Sequence, residues 1–262
     1  MSLERHALEW GIVSPYARAQ THKEDAMARL SDPRGFRKTV AGVCMIAAPA
    51  LVVVSQLIHP REFSDEAKWF AEISANADRQ YWAHLLGLLA LALAIPGILG
   101  AMHMLKERRP ALGHIGAGLA LFGTVSLAAV VGTEFVVWQA AKAPATDTAA
   151  MTSLIGRIID SPGMILLYVL ALTFPLGLLV LGIGLYLARA AATWEAVLVG
   201  LPFTVGIVSE IAYGPRIIPI VSSVLFLIGL GSIGWRVLTE SDEEWEHTPE
   251  IGGMRPATGS TQ

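Results

Sequence analysis

Four histidines stand at the ends of long apolar runs, and imidazole is the side chain best suited to hold a metal or a proton near neutral pH. His59 closes the first run, His84 opens the second, His103 closes the second and His114 opens the third. Two histidine pairs at opposite depths is the layout of a membrane protein that holds two b-type haems between imidazoles on facing helices. Spacing argues against it. His84 and His103 lie about 28 Å apart along a helix and point to faces about 100° apart, so one flat haem-lining face does not form. These histidines also sit at the lips of the runs rather than within them. A b-type haem or quinone-linked membrane redox protein using His59, His84, His103 and His114 is therefore the alternative reading.

A second group of polar residues gathers at one boundary. Gln56, His59, His84, Glu134, Gln139, Glu210 and Arg216 all fall at the ends of runs on the same expected side. Ionisable residues inside a membrane span cost about 2.5–3.5 kcal/mol at the centre and usually mark function. Glu134 lies just before Trp138, and Glu210 just before Tyr213. Both are thus expected near the boundary, where the cost is smaller, and Glu210 is within reach of Arg216. Two histidines with two carboxylates could ligate zinc or bind a small polar ligand; the metal itself is not specified. The chain contains no HExxH, no CxxC, no nucleotide-binding loop and no nucleophile elbow. An enzyme is accordingly not the favoured class.

The elements that must position these residues are six apolar runs: Thr39–Ile58, Leu85–Met102, Ile115–Trp138, Gly163–Ala188, Ala196–Tyr213 and Ile217–Trp235. A hydrocarbon core of about 30 Å needs roughly 20 apolar helical residues. Only 16% of the chain is charged, against about 25% in soluble domains. Leu85–Met102 has no polar face, which a soluble helix requires. The runs do not alternate, as barrel strands would. The expectation is an all-α, polytopic integral membrane protein: a six-helix transmembrane bundle with two interfacial amphipathic helices.

Those two helices fall in the loops on the histidine–carboxylate side. Phe63, Ala67, Phe70, Ile73, Ala77 and Tyr81 recur at helical spacing between Arg61 and Trp82, with Ser64 as the expected N-cap and a direct run into the second span. After Pro144, Met151, Leu154, Ile155, Ile158 and Ile159 form a second stripe, broken at Ser161-Pro162-Gly163.

Lys and Arg concentrate in the N-terminal segment, in the loop after span two and at the C-terminal end. Arg34, Arg37 and Lys38 lie directly against span one. By the positive-inside rule both termini are cytoplasmic and the histidine–carboxylate boundary faces outward, in a plasma or inner membrane. Trp82, Trp138, Tyr213 and Trp235 mark the interfacial belts, and Trp194 the cytoplasmic start of span five. No signal peptide is expected, so span one serves as its own insertion signal.

Residues 1–38 form a cytoplasmic segment with a short helix expected from Thr21 to Leu30. Residues 39–238 form the bundle, and 239–262 an acidic, then disordered, cytoplasmic tail. A net charge of −3 leaves no basic face for nucleic acid. Partners are expected to be the lipid bilayer and, beyond it, other membrane proteins or a second copy in a homo-oligomer. Cys44, the single cysteine, lies within span one and reads as a packing residue.

Prolines interrupt five spans at Pro49, Pro96, Pro175, Pro202 and Pro219. They read as kinks, since their unequal spacing does not support an inverted repeat. Glycines stripe spans three, four and six and read as contact surfaces between helices. The leading function is a non-enzymatic accessory or structural subunit, or a small-ligand carrier, with its polar site at the outer face. The cytoplasmic half is expected to be mainly apolar packing.

Overall fold

Asp32-Pro33 starts the first helix earlier than hydropathy suggests. Asp32 Oδ1 accepts from the Arg34 amide at 2.9 Å, and Pro33 follows at a position where a missing N–H costs nothing. The computed structural model describes residues 32–61, 63–142 and 148–249. Over these residues the chain forms α1 (Pro33–Ile58), α2 (Glu66–Ala75), α3 (Ala77–His103), α4 (Pro110–Lys142), α5 (Thr148–Ile159), α6 (Pro162–Ala171), α7 (Thr173–Ala188), α8 (Thr193–Ile211), α9 (Ile217–Thr239) and the short α10 (Asp242–Trp245). No strand occurs among the described residues. The expected helix at Thr21–Leu30, Glu62, Pro144 and the segment from Ile251 onward lie outside them.

Six segments among the described residues are long and apolar enough to cross a membrane: α1, α3, α4, the α6–α7 pair, α8 and α9. Their outward faces are apolar, with Phe122, Val125, Ile211 and Trp235 all exposed. So broad an apolar surface is stable against lipid and not against water. The chain is a multi-pass, all-α membrane bundle.

Each span packs on its neighbour in sequence, and α9 returns to pack on α1, closing a ring. The ring interior is filled. Met45, Ile98, Ala120, Leu178, Val199, Phe226 and Ile233 belong to one buried cluster, and Phe203 meets Phe174 and Phe226 edge-on at 4.9 and 5.5 Å.

Small residues set how closely the ring draws together, because lipid supplies no hydrophobic drive between helices. At the α4–α7 crossing a Cβ on Gly177 would overlap the Ala120 amide nitrogen and stand 2.6 Å from the Gly116 carbonyl oxygen. At the α1–α9 crossing a Cβ on Gly234 would stand 2.7 Å from the Gly42 carbonyl oxygen.

Pro175 divides span four. It cannot donate to the Ala171 carbonyl, the helix hitches at Leu172, and the Thr173 hydroxyl donates to the Leu170 carbonyl at 2.6 Å. Pro49, Pro96 and Pro202 sit inside continuous helices, and Pro219 falls in the first turn of α9.

The two loop helices differ in detail from their sequence reading. Asp65, not Ser64, caps α2, accepting from the Lys68 amide at 2.8 Å. The carboxylate is the stronger acceptor and adds favourable charge at a helix N-terminus. The chain also breaks at Asn76 before α3 begins, where φ −127° and ψ 33° leave the helical region. Phe70 and Ile73 of α2, Ile155 of α5 and Val137 of α4 then form a second small core. The two amphipathic helices thus roof one end of the ring, above α4.

The opposite end is more polar than expected. Glu195 is 4% exposed; both its carboxylate oxygens accept from Arg236 Nη1 (3.2 and 2.9 Å), and it also accepts from the Ser232 hydroxyl (3.0 Å) and the Ala192 amide (2.8 Å). This end, expected to be mainly apolar packing, thus also holds a buried ion pair. Glu195 lies just before the fifth apolar run, and its side-chain partners Ser232 and Arg236 come from another helix.

The acidic run also folds back onto its own chain. Lys38 pairs with Asp242 and donates to the Glu240 carbonyl at 2.7 Å. Arg37 and Lys106 both reach Glu246, at 3.5 and 3.4 Å. Trp245 is buried, its ring stacked on His103 with centroids 4.5 Å apart. Basic residues beside the first and second spans thus seat residues 241–248.

Gly177→Val is expected to lower the thermal midpoint of the detergent-purified protein by several degrees, since overpacking costs about 1–3 kcal/mol. Gly132→Val, with nothing within 4 Å of its Cβ, is expected to leave the midpoint unchanged. The Glu240 carboxyl gives a second expectation. Burial outweighs the attraction of Arg236 and Lys38 and pushes it up to about 7 from its usual 4.5. The folded state then holds the proton more tightly than the unfolded one. That contribution is full below about pH 4.5 and is lost as pH rises through about 7. Glu240→Gln should flatten the fall in thermal midpoint between pH 5 and 8, and an unchanged slope would reject this origin.

Candidate functional site

The roofed end gathers polar side chains from α1, α3, α4 and α8. Its geometry begins with how α1 ends. The last carbonyls of a helix lack partners within it and carry partial negative charge. α1 has no basic residue in its last turn, and two arginines from elsewhere serve instead. Arg79 of α3 donates from Nε to the Ile58 carbonyl at 3.0 Å. Arg216, delivered by the turn between α8 and α9, donates to the Leu57 carbonyl at 2.9 Å. Tyr213 makes that turn by adopting φ 51°, and the Gly214 amide closes it on the Ser209 carbonyl at 2.8 Å.

With α1 held at its end, His59 meets His84 of α3. Their Nε2 atoms are 3.4 Å apart and their ring centroids 4.9 Å apart, so the rings converge at Nε2 and splay behind it. The other nitrogens are committed. His59 Nδ1 donates to the Pro60 carbonyl and His84 Nδ1 to the Gln80 carbonyl, each at 2.8 Å. A carbonyl oxygen can only accept, so each Nδ1 carries the hydrogen. In two neutral imidazoles both Nε2 lone pairs therefore face one another.

A carboxylate flanks the pair. Glu134 Oε2 lies 3.9 Å from His84 Nε2 and accepts from Gln80 Nε2 at 2.9 Å. The His84 and Glu134 side chains are 10% and 17% exposed. Gln80, 2% exposed, is the member that sequence reasoning missed. It sits one helical turn before His84, which places both on one face of α3, and that spacing is the signal that could have found it. Ser55 clasps the same two helices below, donating to the Ala83 carbonyl at 2.9 Å.

Glu210 of α8 joins from the far side of α1, accepting from Gln56 Nε2 at 2.7 Å. Beneath them a cavity of about 20 Å³ is lined by Gln56, Glu210, Phe203 and the buried Ser222 and Ser223. That volume suits a single water molecule. Among the expected site residues, Gln56, His59, His84, Glu134, Glu210 and Arg216 thus fall at this end. Gln139 points outward and is exposed.

The remaining two histidines are not part of it, and the two-pair layout of the alternative reading does not form. His103 Nε2 is engaged by the Trp245 carbonyl at 3.0 Å and Lys106 Nζ at 3.1 Å. His114 is exposed and donates to the Pro110 carbonyl of its own helix at 2.7 Å. His59 and His84 instead meet each other, with their ring planes tilted by 56°. Among the described residues no three His, Cys, Asp or Glu side chains already converge as a metal site.

No family model matches the chain, and no match was found among the curated proteins or the solved structures. What the fold defines is a class: a multi-pass helical membrane protein.

Gln80→Leu keeps the volume and removes the donor to Glu134. Because a hydrogen bond to a charged group contributes about 1.5–3 kcal/mol, the variant should melt several degrees lower than the parent in the same detergent. An unchanged midpoint would show that Glu134 is not held by Gln80.

Proposed function

We propose that the protein is a non-enzymatic membrane component that binds a small polar or cationic ligand at the outer face of its bundle. The observation that carries this reading is the linked set His59–His84, Gln80–Glu134 and Gln56–Glu210. These join α1, α3, α4 and α8 at one end of the ring. Ionisable side chains at membrane depth are costly unless partnered, and they mark ligand sites more often than packing. The middle of the ring is closed by Phe174, Phe203 and Phe226. The site therefore opens toward the roofed end, and a binding or accessory role suits it better than a through-membrane path.

Lys and Arg next to the spans support placing that end outside, with the Trp245 end and both termini cytoplasmic in a plasma or inner membrane. Lipid covers the apolar outer faces, and a second copy or another membrane protein is the partner that such faces admit.

Two measurements test this. In a Cys44→Ser background, Ala71→Cys on α2 should react with a membrane-impermeant maleimide in intact cells. Glu243→Cys should react only after permeabilisation, and the reverse pattern refutes the orientation. Against a panel of small organic amines and polar compounds, at least one should raise the thermal midpoint of the parent. It should fail to do so in the Glu134→Gln/Glu210→Gln double variant. If no compound separates the two proteins, the ligand reading falls.

A further inference from the structure

We propose that His59 and His84 form a binding site for a divalent transition-metal cation of the zinc type, with Glu134 as the third protein ligand. The inference rests on the reading of this end as the functional site and names its ligand class.

The first argument is electrostatic. Both Nδ1 atoms donate to backbone carbonyls, so both Nε2 atoms present lone pairs. At 3.4 Å two lone pairs facing each other repel, and a positive centre between them removes that repulsion. The second argument is metric. Imidazole nitrogens bind zinc at about 2.0–2.1 Å with tetrahedral angles, which places two of them about 3.4 Å apart. His59 and His84 already stand at that separation. Their rings diverge away from Nε2, as two ligands of one ion do. The third is the outer support. Metal-binding histidines almost always donate their other ring N–H to a carbonyl or carboxylate, which fixes tautomer and ring direction. Here the Pro60 and Gln80 carbonyls do both.

Glu134 Oε2 is 3.9 Å from His84 Nε2, drawn toward Gln80. Rotation of its carboxylate toward the imidazoles completes a two-histidine, one-carboxylate set, and water supplies the fourth position. This donor set suits zinc, cobalt and nickel better than magnesium or calcium, which prefer oxygen alone. Gln80 has a positioning role: it holds Glu134 beside the pair.

The test uses the full-length, tag-free protein in detergent, stripped with a chelator and titrated with Co²⁺ as a spectroscopic probe. Visible d–d bands of tetrahedral intensity should grow to saturation at one equivalent per chain, and Zn²⁺ should abolish them. His59→Ala and His84→Ala should each remove the bands, and Glu134→Gln should weaken binding at least tenfold. His114→Ala should change nothing. Size-exclusion profile and thermal midpoint report whether each variant is folded. Should His84→Ala fail to fold, His59→Gln at the end of α1 gives the same reading. Two results overturn the proposal: no saturable band from folded parent protein, or bands that survive loss of both imidazoles. The first means that a shared proton alone relieves the Nε2 pair. If cobalt fails while the amine panel still separates parent from double variant, the metal falls and the outer ligand site stands.

Discussion

Close approach of backbones at glycine holds this bundle together. Once helices are in lipid, bringing apolar side chains together gains little, because lipid tails are as apolar as leucine. Contact must come from fit. Gly177 lies against the Gly116 carbonyl and the Ala120 amide, and Gly234 lies against the Gly42 carbonyl. Those two crossings set the spacing of α4 with α7 and of α9 with α1. With the second, the ring closes on itself. Everything polar in the protein is then arranged by which helix ends the ring brings together.

The two ends solve the same problem differently. Every carbonyl and carboxylate near the membrane needs a donor, since unsatisfied polar groups there cost several kcal/mol. At the Trp245 end the donors are charged. Arg236 serves Glu195, while Lys38, Arg37 and Lys106 serve the folded-back residues Asp242 and Glu246. At the His84 end arginines are directed to the backbone, with Arg79 and Arg216 on the carbonyls that finish α1. Neutral amides from Gln80 and Gln56 then serve the carboxylates. The first arrangement is a set of ion pairs that seats residues 241–248. The second leaves two imidazole Nε2 atoms facing one another beside a carboxylate.

Legibility in sequence followed the range of the interaction. The six spans were plain because hydropathy over about 20 residues is a local property, and the two amphipathic helices followed from stripes within a few turns. Boundaries were less plain. Asp32-Pro33 starts α1 before its apolar run begins, and Asp65 took the cap expected of Ser64. Glu134, Glu210, His59 and His84 stood out because charged or titratable groups near spans are rare. Gln80 did not, since a lone glutamine beside a loop carries no compositional signal. Glu195 escaped for a related reason: its partners Ser232 and Arg236 lie on another helix.

Sequence alone determined class, number of spans and the polar residues near one boundary, because burial in lipid demands long uncharged helices wherever they occur. It could not determine which helix faces which, because ring order follows from glycine crossings distant in the chain. Only the tertiary structure decided that His59 meets His84. It also decided that His103 belongs to Trp245, and that the acidic run seats on its own basic residues. Each of these depends on distances between helix ends, and such distances exist only after the ring has closed.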